Sequence, residues 1–139
     1  MTTYREVNKS DQEELFRLVC EFPTPIAISK QFFDDMFKNS ISDTRSIIMV
    51  AESDDQLIGY ISGYVHEAFY ASGSVAWVDE VLVTEKHRGS SIGGKLMARF
   101  EKQAKEHNCV LVSLATTGAK GFYEHIGYVS KAGYYKKYL

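Results

Sequence analysis

The spacing of apolar residues along this chain changes several times, and each change marks an element. Tyr4 to Val7 reads as a short strand. Ser10-Asp11-Gln12-Glu13 has the Ser-to-Glu spacing of a capping box. The helix it would open carries Leu15, Leu18 and Val19 on one face and ends near Phe22-Pro23. Pro23 and Pro25 hold the next stretch extended. Ser29 then caps a second helix, with Phe32, Phe33, Met36 and Phe37 at helical spacing. From Arg45 the period shortens. Ser46 to Glu52 is an Ile- and Val-rich strand, Ser53-Asp54-Asp55-Gln56 a hairpin turn, and Leu57 to His66 the partner strand. Glu67 to Ser74 reads as a loop and Val75 to Val83 as another strand. Ile92, Leu96, Phe100 and Ala104 then recur every fourth residue, an amphipathic helix ending near His107-Asn108. Cys109 to Leu114 is apolar on both faces and reads as a central strand. Ala119 to Ile126 is a short helix stopped by Gly127. Tyr128-Val129 and Tyr134 to Leu139 close the chain as strands.

This order predicts an α/β (α+β) fold. It comprises a single mixed, mostly antiparallel central sheet of roughly six to seven strands, flanked by helices on both faces. The strands on either side of the long helix should run parallel, because a helical crossover favours that. No repeat, low-complexity tract or linker divides the chain, so residues 1–139 are expected to form one domain.

Composition narrows the function classes. The 45% hydrophobic content supplies a core, and a net charge of −2 gives no reason to expect nucleic acid or an anionic membrane as partner. The N-terminus lacks the apolar stretch of a signal peptide. Cys20 and Cys109 stand far apart and are expected to be reduced, buried thiols of a cytoplasmic protein. Neither they nor His66, His87, His107 and His125 show metal-ligand spacing, so no metal is expected.

The chemistry concentrates in Val81-Leu82-Val83-Thr84-Glu85-Lys86-His87-Arg88-Gly89-Ser90-Ser91-Ile92-Gly93-Gly94-Lys95-Leu96. An apolar strand runs through a glycine-rich loop into a helix. Small residues before a helix start leave main-chain N–H groups uncovered, and the helix dipole makes that end positive. That combination suits a phosphate or pyrophosphate. Gly89 to Lys95 covers most of a nucleotide-binding P-loop, but Leu96 stands where a hydroxyl should hold magnesium. A nucleotide hydrolase is therefore the weaker reading.

Arg88-Gly89-Ser90-Ser91-Ile92-Gly93 resembles the cofactor loop of the Gcn5-related N-acetyltransferases, with Ser91 in place of the first family glycine. Gly121-Phe122-Tyr123-Glu124-His125-Ile126-Gly127-Tyr128 resembles that family's second signature, one helix and one strand downstream. The resemblance implies an acyl-CoA N-acyltransferase fold and acetyl transfer from acetyl-CoA to a primary amine in a direct ternary complex. The acceptor would be a small molecule or a protein, and a homodimer is compatible with it. The main-chain N–H groups from Arg88 through Gly94 (Gly89, Ser90, Ser91, Ile92 and Gly93 between them) would take the pyrophosphate. Val81, Leu82 and Val83 would pair with the pantetheine arm as a further strand would. Phe122 and Thr116 would complete the cofactor contacts. Many relatives carry Asn at the position of Thr116, and a hydroxyl replaces one end of that amide. If φ at Ser91 is positive, its Cβ costs roughly 1–2 kcal/mol; if negative, its hydroxyl can bond a phosphate.

An amine of pKa near ~10.4 must lose a proton before it attacks, at a cost of about 4–5 kcal/mol at neutral pH. Asp79 and Glu80, on the strand before the loop, are the candidate bases, Glu80 favoured for reach. Strict alternation places Trp77, Asp79, Val81 and Val83 on one face and Val78, Glu80 and Leu82 on the other. The resemblance makes Tyr123 the acid that protonates the leaving sulfur. The acidic pair suggests a cationic acceptor such as a polyamine, an amino sugar, or a lysine or N-terminal amine. His66, Tyr70 and one or two of Phe32, Phe33, Met36 and Phe37 are candidates for its cleft. A non-catalytic acyl-CoA-binding module is the alternative, motivated by Ser91 and Thr116.

Overall fold

A computed structural model describes residues 1–139. Its strands are β1 (Thr2–Glu6), β2 (Ser46–Ser53), β3 (Gln56–Ala68), β4 (Gly73–Val83) and β5 (Cys109–Leu114). Its helices are α1 (Gln12–Val19), α2 (Lys30–Ser42), α3 (Ile92–Glu106) and α4 (Lys120–His125). The strands form one sheet in the order β1-β2-β3-β4-β5. Neighbours are antiparallel except β4 and β5, which run parallel around the α3 crossover as expected.

Two apolar clusters fix the layers. On one face Ile92, Leu96, Met97, Phe100 and Ala104 of α3 meet Ile47, Met49, Ile61, Ala76 and Val78 of the sheet. On the other, Leu15 and Leu18 of α1 and Phe37 of α2 cover Val50, Leu57, Tyr60 and Leu82. Both faces are thus covered by helices. The β2–β3 turn has Asp54 and Asp55 at φ 50° and 59°, as a two-residue hairpin turn requires.

Several expectations are corrected. The sheet has five strands, not six to seven. Tyr128-Val129 and Tyr134 to Leu139 join no ladder. Aromatic contacts position that segment instead: Tyr134 stacks on Trp77 at 6.3 Å, and Lys136 Nζ lies over the Tyr134 and Tyr138 rings. β5 is consequently an edge strand rather than a central one, with Val110 and Leu111 exposed. The expected loop at Glu67 to Ser74 is shorter: Glu67 and Ala68 end β3, Gly73 and Ser74 begin β4, and only Phe69 to Ser72, with a 3₁₀ turn at Phe69–Ala71, lie between. The N-terminal capping box lies two residues earlier than the sequence suggests. Asn8 Oδ1 accepts from Ser10 N, and Asp11 Oδ2 accepts from Asn8 N at 2.8 Å. Arg5 draws Asp11 inward with two bonds of 2.8 and 2.9 Å, which settles the register of this turn. Ser29 caps α2 as expected, accepting from Phe32 N at 3.1 Å. Both cysteines are free thiols, but Cys20 is exposed at the end of α1 and Cys109 only half-buried.

Candidate active site

A β-bulge sets up the site. β3 and β4 pair from Ala68–Gly73 to Gly63–Val78, then resume at Ser62–Glu80. Asp79 is the extra residue, and such an insertion shifts the alternation of its strand. Ala76 and Val78 face α3 before it, and Val81 and Val83 face α3 after it, while Leu82 faces α1 and α2. The strict alternation expected from sequence is therefore wrong: Val78 does not share a face with Glu80 and Leu82. Without the bulge Glu80 would point toward α3. With it, Glu80 turns to the α1 side and meets Tyr60. Gly63 makes this possible. A Cβ there would lie 2.2 Å from the Trp77 carbonyl oxygen and 2.6 Å from the Phe100 ring.

The two carboxylates occupy different surroundings. Glu80 Oε1 accepts a hydrogen bond of 2.6 Å from the Tyr60 hydroxyl. Burial, and then the charge and hydrogen bond of Glu80, hold the Tyr60 phenol far above its ordinary value. Asp79 reaches solvent at the bulge, but its carboxyl is raised by desolvation and by the Glu80 charge, with the Trp77 indole opposing. The two carboxylates are neighbours in sequence, and the bulge, not strict alternation, sets where Glu80 points.

Past the bulge β4 loses its second neighbour. Pairing with β5 runs only from Ser74–Cys109 to Val78–Leu114. Val81, Leu82 and Val83 pair with Ile61, Tyr60 and Gly59 on one side and have no strand on the other. The wedge between β4 and β5 opens beside the loop. There the N–H groups of Gly89, Ser90, Ser91, Ile92, Gly93 and Gly94 donate to no protein acceptor; the first bond of α3 is Lys95 N to Ser91 O. No acidic side chain sits in the first turn of α3. Gly89 and Ser91 have φ of 85° and 65°, so Ser91 adopts the left-handed form that glycine prefers. Its hydroxyl caps nothing. Arg88 folds back, its Nε donating to Val83 O at 2.9 Å. Such a row of outward N–H groups, on a helix start free of carboxylates, fits a diphosphate. Lys95 does not serve it: Nζ lies over the Tyr4 ring at 5.9 Å.

The second motif lies against the first. Phe122 sits over the start of α3, its ring 3.8 Å from where a Gly93 Cβ would be. Tyr123 is half-buried against the α3-side core, edge-on to Phe122 and Tyr128. Burial raises its phenol, so at neutral pH it is a proton donor. Tyr128 fixes the end of α4: its N–H donates to Tyr123 O at 2.9 Å and its hydroxyl to Glu101 at 2.7 Å. Thr116 Oγ1 accepts from Ala119 N, so it helps start α4.

Other candidates lie apart. Phe33 stacks between Phe16 and Phe37 as core, while Phe32 and Met36 point outward from α2. His66 is exposed near the end of β3, and Tyr70 is exposed in the turn that follows. An open hollow of about 280 Å³ between the end of α1, the β2–β3 turn and Thr84 to His87 contains neither Glu80 nor Tyr123. Sequence reading missed Tyr60 and Gly63, because the bulge that pairs them with the site leaves no periodic signal.

Comparisons with known proteins give the family and the fold. The chain is 25% identical over 128 residues to the aminoalkylphosphonate N-acetyltransferase of Salmonella typhimurium, covering 89% of this chain and 82% of that one. Its structure resembles glucosamine-6-phosphate N-acetyltransferase from Arabidopsis thaliana, with a TM-score of 0.88 at 23% identity, covering 100% and 99% of the two chains. It also resembles a predicted acetyltransferase from Clostridium acetobutylicum solved with acetyl-CoA, with a TM-score of 0.82 at 17% identity, covering 100% and 97%. The acetyltransferase (GNAT) family model matches residues 12–128, and the chain belongs to that family.

Proposed function

We propose that this protein is an N-acetyltransferase that moves acetyl from acetyl-CoA to a primary amine within a ternary complex. The observation that carries the reading is the row of unpaired N–H groups from Gly89 to Gly94 at the mouth of the β4–β5 wedge. Acetyl-CoA supplies an acyl thioester activated toward amines. Gly89 to Gly94 hold its diphosphate, and the open edge of Val81 to Val83 orients its arm toward Tyr123. Phe122 and Thr116 complete the contacts.

Glu80, anchored by Tyr60, takes the proton that the acceptor ammonium must lose. Asp79 beside it adds negative potential that favours a cationic acceptor. The amine nitrogen bonds to the acyl carbon, the carbon–sulfur bond breaks, and the Tyr123 hydroxyl protonates the departing thiolate. The named relatives act on an aminoalkylphosphonate and on glucosamine 6-phosphate. Those two amines, spermidine and a lysine peptide therefore make the first acceptor panel.

The test is thiol release from acetyl-CoA with that panel, beside a melting curve with acetyl-CoA alone. Binding at a hundred times Kd should stabilise the fold by about 2.7 kcal/mol. Tyr123→Phe should lower kcat about a hundredfold and leave that thermal shift intact. Absence of any shift at millimolar acetyl-CoA would refute the cofactor site. A shift without thiol release for any amine would leave a binding module instead.

A further inference from the structure

We infer that Tyr60 is a positioning residue for acetyl transfer, acting through Glu80; the inference rests on Glu80 being the base. Tyr60 pairs with Leu82 across the β3–β4 ladder, and Glu80 lies two residues before Leu82. That diagonal is within reach of an aromatic side chain once both groups share a face, and the bulge at Asp79 provides the shared face. The phenol is 1% exposed, set among Leu15, Leu18, Phe37, Val50, Leu57 and Leu82. In that setting it does not ionise, so its hydroxyl is a permanent donor with one acceptor in range, Glu80 Oε1 at 2.6 Å.

Two consequences follow for the base. Its rotation is removed, because one oxygen is tied to the core. Oε2 is left as the oxygen that can receive a proton. The titratable groups facing the pair are Asp79 on β4, Tyr60 on β3 and Cys20 at the end of α1. Tyr60 is the one side chain that hydrogen-bonds Glu80.

Tyr60→Phe should lower kcat about tenfold with KM for acetyl-CoA unchanged. Glu80→Gln should lower kcat at least a hundredfold or so. Adding Tyr60→Phe to Glu80→Gln should cost nothing further, because both changes act on one group. The acceptor is the best amine of the panel above. An unchanged kcat in Tyr60→Phe, or a further loss in the double variant, overturns the role of Tyr60 while leaving Glu80 as base. Full activity in Glu80→Gln overturns both assignments. If Tyr60→Phe fails to fold, proton NMR of the unmodified protein decides. A slowly exchanging, far-downfield phenol proton that moves upfield in Glu80→Gln supports the bond, and its absence overturns it.

Discussion

Replacing Gly63 by alanine tests the bulge on which the active-site reading depends. The added Cβ would stand 2.2 Å from the Trp77 carbonyl oxygen and 2.6 Å from the Phe100 Cε2 and Cζ atoms. Ordinary contact begins near ~3.4 Å, so strand and ring would each have to retreat by roughly an ångström. Phe100 is fully buried and the oxygen belongs to main chain, so neither moves freely. Overpacking of this kind costs about 3 kcal/mol. An unfolding entropy of about 2.1 cal/mol/K per residue gives roughly 0.29 kcal/mol/K for this chain, so Tm should fall by about 10 °C. Trp77 is the single tryptophan and lies two residues before the bulge, so its fluorescence reports the transition directly. Adding Phe100→Leu should recover part of the loss, because it relieves the ring but not the carbonyl. Gly121→Ala is the control. It lies in α4 with open space at its Cβ, and should gain about 0.5–1 kcal/mol. A Gly63→Ala protein melting within about 2 °C of its parent would refute the close approach and, with it, the placement of Glu80.

Ser91→Gly should raise stability by about 0.5–1 kcal/mol, since a left-handed residue no longer carries a Cβ, whereas Ser91→Ala should be neutral because the hydroxyl caps nothing; equal Tm for all three proteins would contradict the φ of 65°. His107 is raised because its ring nitrogens face the Gln103 and Thr44 carbonyls. Its contribution is complete below about pH 6.5 and is lost as pH rises through the folded value, so urea melts should show the gap to His107→Asn narrowing with rising pH. Burial opposes ionisation of Asp11, but the Arg5 and Asn8 bonds outweigh it and hold the carboxyl below its ordinary value. Its contribution is present above about pH 4 and lost as pH falls through the folded value, so acid should close the gap to Asp11→Asn; a widening gap would show the sign to be wrong.

How far the sequence could be read depended on whether a feature leaves a periodic trace. The amphipathic faces of α1, α2 and α3 did, and so did the Asp54-Asp55 turn and the strand-loop-helix join at Val83 to Ile92. The bulge did not, because one inserted residue in an apolar strand changes no composition and only shifts which face each side chain meets. The apolar run of β5 suggested burial on both sides, yet nothing pairs with its outer edge, and alternation alone does not reveal a missing neighbour. The tyrosine-rich C-terminal stretch has strand propensity, but its rings find Trp77 and Lys136 while its main chain finds no ladder. Tyr123 and the glycine loop were legible through a family resemblance; Tyr60 required the register of β3 on β4.

The uncovered amides from Gly89 to Gly94 belong to every amino acid except proline, so that part of the site survives most exchanges of side chain. Saturation mutagenesis of the loop should accordingly find few intolerant positions: proline wherever a donor is lost, bulky or β-branched residues at Gly89, and carboxylates near the dipole. Selection holds a curve of the chain there more than a spelling. Letter-by-letter matching will under-count the sequences able to form such a cradle.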